Sequence, residues 1–144
     1  MGMTPGEGLL MGTRCGDIDP GVLLHLERVE GFDTAQLDEL LNTRSGLLGL
    51  SGISSDMREI EAAAEAGERR ALLALKTFGY RVRKYIGAYV AAMGGLDVLV
   101  FTGGIGQGSA GVRSLAVQGL GCMGIQLDAQ RNLEARGFDE ICTI

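Results

Sequence analysis

With 144 residues, 46% of them hydrophobic and 22% charged, the chain is long enough to bury a real core and has an ordinary globular composition apart from its 24 glycines. A net charge of −5 with scattered basic residues argues against nucleic-acid binding as the main activity, and no apolar run approaches the ~20 residues a membrane span needs. The N-terminus lacks a basic-then-apolar leader pattern, so a cytoplasmic location is the expectation; three widely spaced cysteines (Cys15, Cys122, Cys142) suit reduced thiols better than a disulfide frame or a zinc site.

Residues 1–12 are glycine-rich, with Thr4-Pro5-Gly6 an expected turn. The stretch from Gly12 to Pro20 reads as a loop carrying Arg14, Asp17 and Asp19. Asp19-Pro20 is a helix start, a cap followed by the proline-tolerant first position. That helix is predicted to turn Val22, Leu23, Leu26 and Val29 inward and to stop near Gly31. His25, the sole histidine, rides on it as a partly buried packing residue rather than a catalyst, and any mechanism needing two histidines is excluded. A second helix is expected over Thr34–Asn42, with Leu37, Leu40 and Leu41 at helical spacing. Leu47–Ile53 is apolar but too broken by glycine to assign.

Ser54, Ser55 and Asp56 form a cap cluster before a helix running to about Ala66. Taken alone, Asp56 and Arg58 there read as a helix cap and the cover of its outer face. After Gly67 the longest helix is expected, with Leu72, Leu75, Gly79, Val82, Ile86, Tyr89, Val90 and Met93 as one apolar stripe. Leu96–Thr102 reads as a buried strand bounded by Gly94-Gly95 and Gly103-Gly104. Four glycines then fall within Gly103–Gly108, and a helix follows with Ser109 as cap and Val112, Leu115 and Ala116 inward. A glycine loop feeding a helix suits a phosphate or nucleotide, because the bare backbone approaches a ligand closely; a tight turn without ligand fits the spacing as well. It is neither a Walker loop, since no lysine follows Lys84, nor a dinucleotide fingerprint, since Ser109 stands where glycine is needed. A turn over Gly119–Gly124, a strand near Ile125–Leu127, a helix over Asp128–Arg136 and a strand over Glu140–Ile144 complete the expected order.

Six motifs occur in register: Thr4-Pro-x-Glu-Gly, Met11-Gly-Thr-Arg-x-Gly-Asp-Ile-Asp-Pro20, Ser45-Gly-Leu-Leu-Gly-Leu50, Ser55-Asp-Met-Arg58, Lys84-Tyr-Ile-Gly-Ala-Tyr89 and Phe101-Thr-Gly-Gly-Ile-Gly106. Together they resemble the acetate kinases and their propionate and butyrate relatives, over nearly the whole chain. The resemblance implies an α/β fold: part of a ribonuclease H-like domain of the actin, sugar kinase and heat-shock ATPase superfold, helix-rich with a few strands. It implies reversible phosphoryl transfer between ATP/ADP and acetate or propionate with Mg2+, in a cytoplasmic homodimer with no nucleic-acid or membrane partner.

By the same resemblance Arg14 is the catalytic arginine that stabilises charge on the transferring phosphoryl group. Asp56, Met57 and Arg58, and Gly104, Ile105, Gly106, Gln107 and Gly108, match the segments that line the adenosine pocket. Family members usually continue Gly-Ile-Gly-Glu-Asn, so Gln107 loses a charge and Gly108 an amide side chain, which predicts weaker nucleotide binding or an altered base preference. Family members are also more than twice this long. The chain is therefore expected to be a partial C-terminal nucleotide-binding domain, without the N-terminal domain, the metal-associated glutamate or any metal ligand, and inactive by itself. The alternative is a non-catalytic module acting in nucleotide binding or self-association.

Overall fold

The computed structural model describes residues 2–135 and the backbone of residues 142–143; the expected helix end at Arg136 and most of the expected last strand (Glu140, Ile141, Ile144) lie outside the described residues. The backbone divides into two compact units, Met1–Leu75 and Lys76–Ile144, the boundary falling inside the longest helix.

In the first unit Thr4 closes the expected turn, its carbonyl accepting from Glu7 N at 3.4 Å and its hydroxyl from Gly6 N at 3.3 Å. Helix α1 (Pro20–Arg28) begins as the Asp19-Pro20 pair dictates, with the Asp19 carboxylate accepting from Gly21 N at 2.8 Å. Its inward face is a correction to the sequence reading. No residue of α1 is buried: Val22 and Val29 are 45% and 65% exposed, and Leu23 and Leu26 are only half-buried. Helical spacing identifies the apolar side of a helix, not whether anything covers it, and the main neighbour of α1 among the described elements is α2 (Thr34–Thr43). His25 is corrected with it, an exposed side chain with Glu30 at 4.0 Å.

Helix α2 starts on a reciprocal capping box, Asp33 and Gln36 each accepting the other's backbone N–H at 2.8 Å. The glycine-broken run that resisted assignment folds as α3 (Gly46–Ser51), closed by Gly52 at φ +69°, and its Leu47 is fully buried. Helix α4 (Met57–Glu65) buries Met57 and Ile60. In α5 (Arg69–Met93) the middle of the predicted stripe is inward, with Gly79 and Ile86 buried and Val82 and Val90 packed against the core, but its ends are corrected: Leu72, Tyr89 and Met93 are exposed, while Ala71, Ala74 and Phe78 are buried. Three- and four-residue steps fit two adjacent registers. The structure departs from the predicted one in the first turns, where the small residues Ala71 and Ala74 are buried in place of Leu72.

The second unit has its core in Ile86, Ala116, Val117, Leu120 and Ile125, flanked by Val82, Val90, Leu96, Leu99, Phe101 and Leu127. Gly79 is required here: a Cβ at that position would lie 2.5 Å from the Cβ of Leu115. Leu96–Thr102, expected as a buried strand, is corrected to a segment without regular secondary structure that bends at Asp97 and pairs with no strand among the described residues, and Val98 and Val100 are 69% and 67% exposed. Leu96, Leu99 and Phe101 of this apolar run pack against the core, but a strand also needs a neighbour to take its amides. The predicted glycine loop is corrected to a short helix, α6 (Gly103–Gly108), followed by α7 (Ala110–Val117), a 3₁₀ turn over Leu120–Met123, β1 (Gln126–Leu127) and α8 (Ala129–Glu134). Strand β2 (Cys142–Thr143) pairs antiparallel with β1, Gln126 opposite Thr143 and Leu127 opposite Cys142. Among the described residues no helix is long and apolar enough to cross a membrane.

Candidate functional site

In the first unit the loop bearing Arg14 is held by the start of α3. The first amides of a helix have no partner within it. Here Ser45 N, Leu47 N and Leu48 N donate, each at 2.9 Å, to the carbonyls of Thr13, Met11 and Gly12. Cys15 N donates to Leu41 O at 3.0 Å and the Thr13 hydroxyl to Asn42 O at 2.9 Å, so the backbone is tied on both sides of Arg14. This close seating depends on Gly46, which sits at φ +63°, where a Cβ would fall 2.2 Å from Met11 O and 2.8 Å from Arg14 O. Asp17 is occupied locally, accepting from Gly8 N at 2.6 Å, as Asp19 is by capping α1. The Arg14 side chain is exposed and makes no hydrogen bond or ion pair among the described residues. A fixed backbone presenting an available guanidinium is what an oxyanion with several equatorial oxygens requires.

The same unit brings this loop beside the second predicted segment. A Cβ at Gly12 would lie 3.1 Å from the carbonyl oxygen of Ser55, the residue before Asp56. Asp56 caps α4, accepting from Arg58 N at 2.9 Å, and its carboxylate also takes the Arg58 guanidinium through Nε at 3.1 Å and Nη2 at 2.5 Å. These hydrogen bonds to Arg58 draw the Asp56 pKa from 3.8 to about 2 and raise that of Arg58. Both residues face solvent, the Arg58 side chain 89% exposed, whereas Met57 is buried at 4%. The cap-and-cover geometry anticipated for Asp56 and Arg58 is thus present, and it orients the guanidinium outward over the start of α4.

In the second unit Gly104, Gln107 and Gly108 border a cavity of about 530 Å³, together with Ala110, Arg113, Leu133 and Ala135. That volume is within the range of small-molecule sites. Ideal Cβ atoms at Gly104 and Gly108 would meet nothing within 4 Å, so these glycines leave open space on the cavity side, while Gly106 lies against Phe101. With four glycines in six residues, α6 is about 4 kcal/mol less favourable than an alanine helix of that length, at about 1 kcal/mol per glycine. It needs outside support.

That support is Arg113, which sequence reading missed. Only 4% exposed, it donates from Nη1 to Gly106 O at 3.1 Å and Gln107 O at 2.6 Å, and from Nε and Nη2 to the side-chain and backbone oxygens of Asn132 at 2.7 Å. Asn132 is itself buried, and its amide donates to Ala110 O at 2.9 Å and the Ser114 hydroxyl at 3.0 Å. The signal was available: Arg113 falls on the same face as Ser109, Val112, Ala116 and Val117, all buried. Among the described residues no three His, Cys, Asp or Glu side chains group to hold a metal ion.

The profile of the acetokinase family matches residues 1–144. The acetate kinase of Parabacteroides distasonis is 55% identical over 141 residues, which is 98% of this chain and 35% of that protein. That of Dictyoglomus turgidum is 58% identical over 132 residues, covering 92% of this chain and 33% of the relative. Among solved structures, Porphyromonas gingivalis acetate kinase superposes with a TM-score of 0.94 at 51% identity, and a Francisella tularensis propionate kinase with 0.91 at 39%; each comparison covers 99% of this chain and 36% of the other. The chain spans about a third of the length of the relatives it matches. Its fold is accordingly that of part of an acetate kinase, α/β and helix-rich, and the chain belongs to the acetokinase family.

Proposed function

We propose that this chain is part of an enzyme that transfers a phosphoryl group reversibly between ATP and a short-chain carboxylate, acetate or propionate, giving acyl phosphate and ADP. The observation that carries this reading is the likeness to acetate kinases over 98% of the chain, with all six motifs retained in order. Phosphoryl transfer leaves little covalent work for a protein, so positioned positive charge does much of the catalysis. Arg14, exposed on a tied backbone, is assigned the charge that builds on the transferring group's oxygens. Asp56, Met57 and Arg58 are assigned to the adenosine-lining segment, where Asp56 holds the Arg58 guanidinium in place. Gly104, Ile105, Gly106, Gln107 and Gly108 form the other nucleotide segment, with open space over Gly104 and Gly108 for close approach of a ligand to backbone. Magnesium would neutralise charge developing on the phosphates, and no side chain among the described residues is assigned to hold it. A cytoplasmic homodimer with neither nucleic-acid nor membrane partners belongs to the same proposal.

The N-terminal domain that the resemblance implies for the whole enzyme is not among these residues. The purified chain is therefore expected to form no acyl phosphate alone. The test is to graft residues 1–144 into the matching third of the Parabacteroides distasonis acetate kinase and trap acyl phosphate with hydroxylamine. The graft should turn over, and Arg14→Ala in it should lower kcat by about 10²- to 10³-fold, the loss typical of one oxyanion donor. A folded but inactive graft would favour the second reading, a non-catalytic module that self-associates through apolar surface such as Val98 and Val100.

A further inference from the structure

We propose that Arg113 is a positioning residue, locked by Asn132, that sets the conformation of α6 and so the shape of the cavity it borders. Helix α6 is rich in glycine and its last carbonyls lack helical partners. One Arg113 nitrogen collects two of them, from Gly106 and Gln107, in charge-assisted hydrogen bonds. The remaining guanidinium nitrogens are taken by both oxygens of Asn132. Asn132 is anchored in turn to Ala110 and Ser114 of α7, which places the clamp on elements with regular structure of their own. Arg113 also lines the cavity, so the group that orders α6 is part of the wall beside Gly104, Gln107 and Gly108.

Only a planar fork with several donors can bridge two carbonyls on one side and an amide oxygen plus a carbonyl on the other. A lysine keeps the charge but presents a single nitrogen. Arg113→Lys therefore separates the positioning role from the charge.

The consequence for ligand binding rests on the nucleotide reading above; the consequence for α6 does not. Amide hydrogen exchange and ADP titration on the 144-residue chain test both, comparing wild type with Arg113→Lys and Asn132→Ala. In both variants we expect exchange at residues 105–109 to accelerate at least tenfold, with the amides of α7 beyond its first turn unchanged. ADP affinity should fall about tenfold in Arg113→Lys. Local acceleration in a chain that does not bind ADP even as wild type would leave the positioning role standing and remove the nucleotide reading. Unchanged exchange at residues 105–109, or acceleration spread evenly over the chain, would overturn the proposal. If Arg113→Lys fails to fold, Asn132→Ala carries the test, and global unfolding of both counts against a local role.

Discussion

Gly46→Ala should collapse the seat of the Arg14 loop. At φ +63° a non-glycine residue costs roughly 1–2 kcal/mol in backbone strain. The added methyl would in addition stand 2.2 Å from Met11 O and 2.8 Å from Arg14 O, both backbone atoms that cannot swing aside like a side-chain tip. Relief requires the loop to lift off α3, which breaks the bonds from Leu47 N to Met11 O and Leu48 N to Gly12 O, each worth about 1 kcal/mol net. The sum is roughly 3–4 kcal/mol, using those strain and hydrogen-bond values. Gly31→Ala is the matched control: φ is +73°, yet nothing lies within 4 Å of its Cβ, so only the strain of roughly 1–2 kcal/mol applies. Urea unfolding followed by circular dichroism measures both, and thermal midpoints should separate by several degrees in the same order. Equal losses for the two variants would refute the close seating of the loop on α3.

Two further outcomes follow from the site. The Asp56 carboxyl should titrate near pH 2 by NMR, and Arg58→Ala should return its midpoint towards 3.8; an unmoved midpoint would show that the pair does not form in solution. Because the folded-state pKa is the lower one, the stability from this pair is fully present above about pH 4 and is lost as pH falls towards 2; both side chains face solvent, so salt should weaken it. Gly108→Asn should tighten ATP and ADP binding, since open space surrounds the Gly108 Cβ position and the amide would restore polar contacts towards the cavity; equal affinities would discard the idea.

What could be read from the sequence was mostly the punctuation. Asp19-Pro20, Asp33, Asp56, Ser109 and Asp128 all sit at helix starts because their side chains accept amides that the helix cannot satisfy. Burial was harder. Val22 and Val29 look like core at helical spacing and are exposed, whereas Ala71 and Ala74, unremarked in the sequence, are fully buried. Which side of a helix is covered depends on a partner far away in sequence. The same holds for Leu96–Thr102, whose apolar run was legible while the exposure of Val98 and Val100 and the lack of a pairing strand among the described residues were not. Of the candidate site, the six motifs marked where the chain is special, but not why. Gly46 is in its motif because the Arg14 loop lies on it, and the Arg113–Asn132 clamp escaped notice because the two residues stand 19 positions apart.

The most direct test of nucleotide binding is an ADP titration of the isotopically labelled 144-residue chain, followed through its amide resonances. Saturable shifts centred on Gly104–Gly108, weakened when Gly104→Leu fills the open space beside the cavity, are the expected result. No saturable shift in that segment, from a chain whose spectrum is otherwise that of a folded protein, would contradict it.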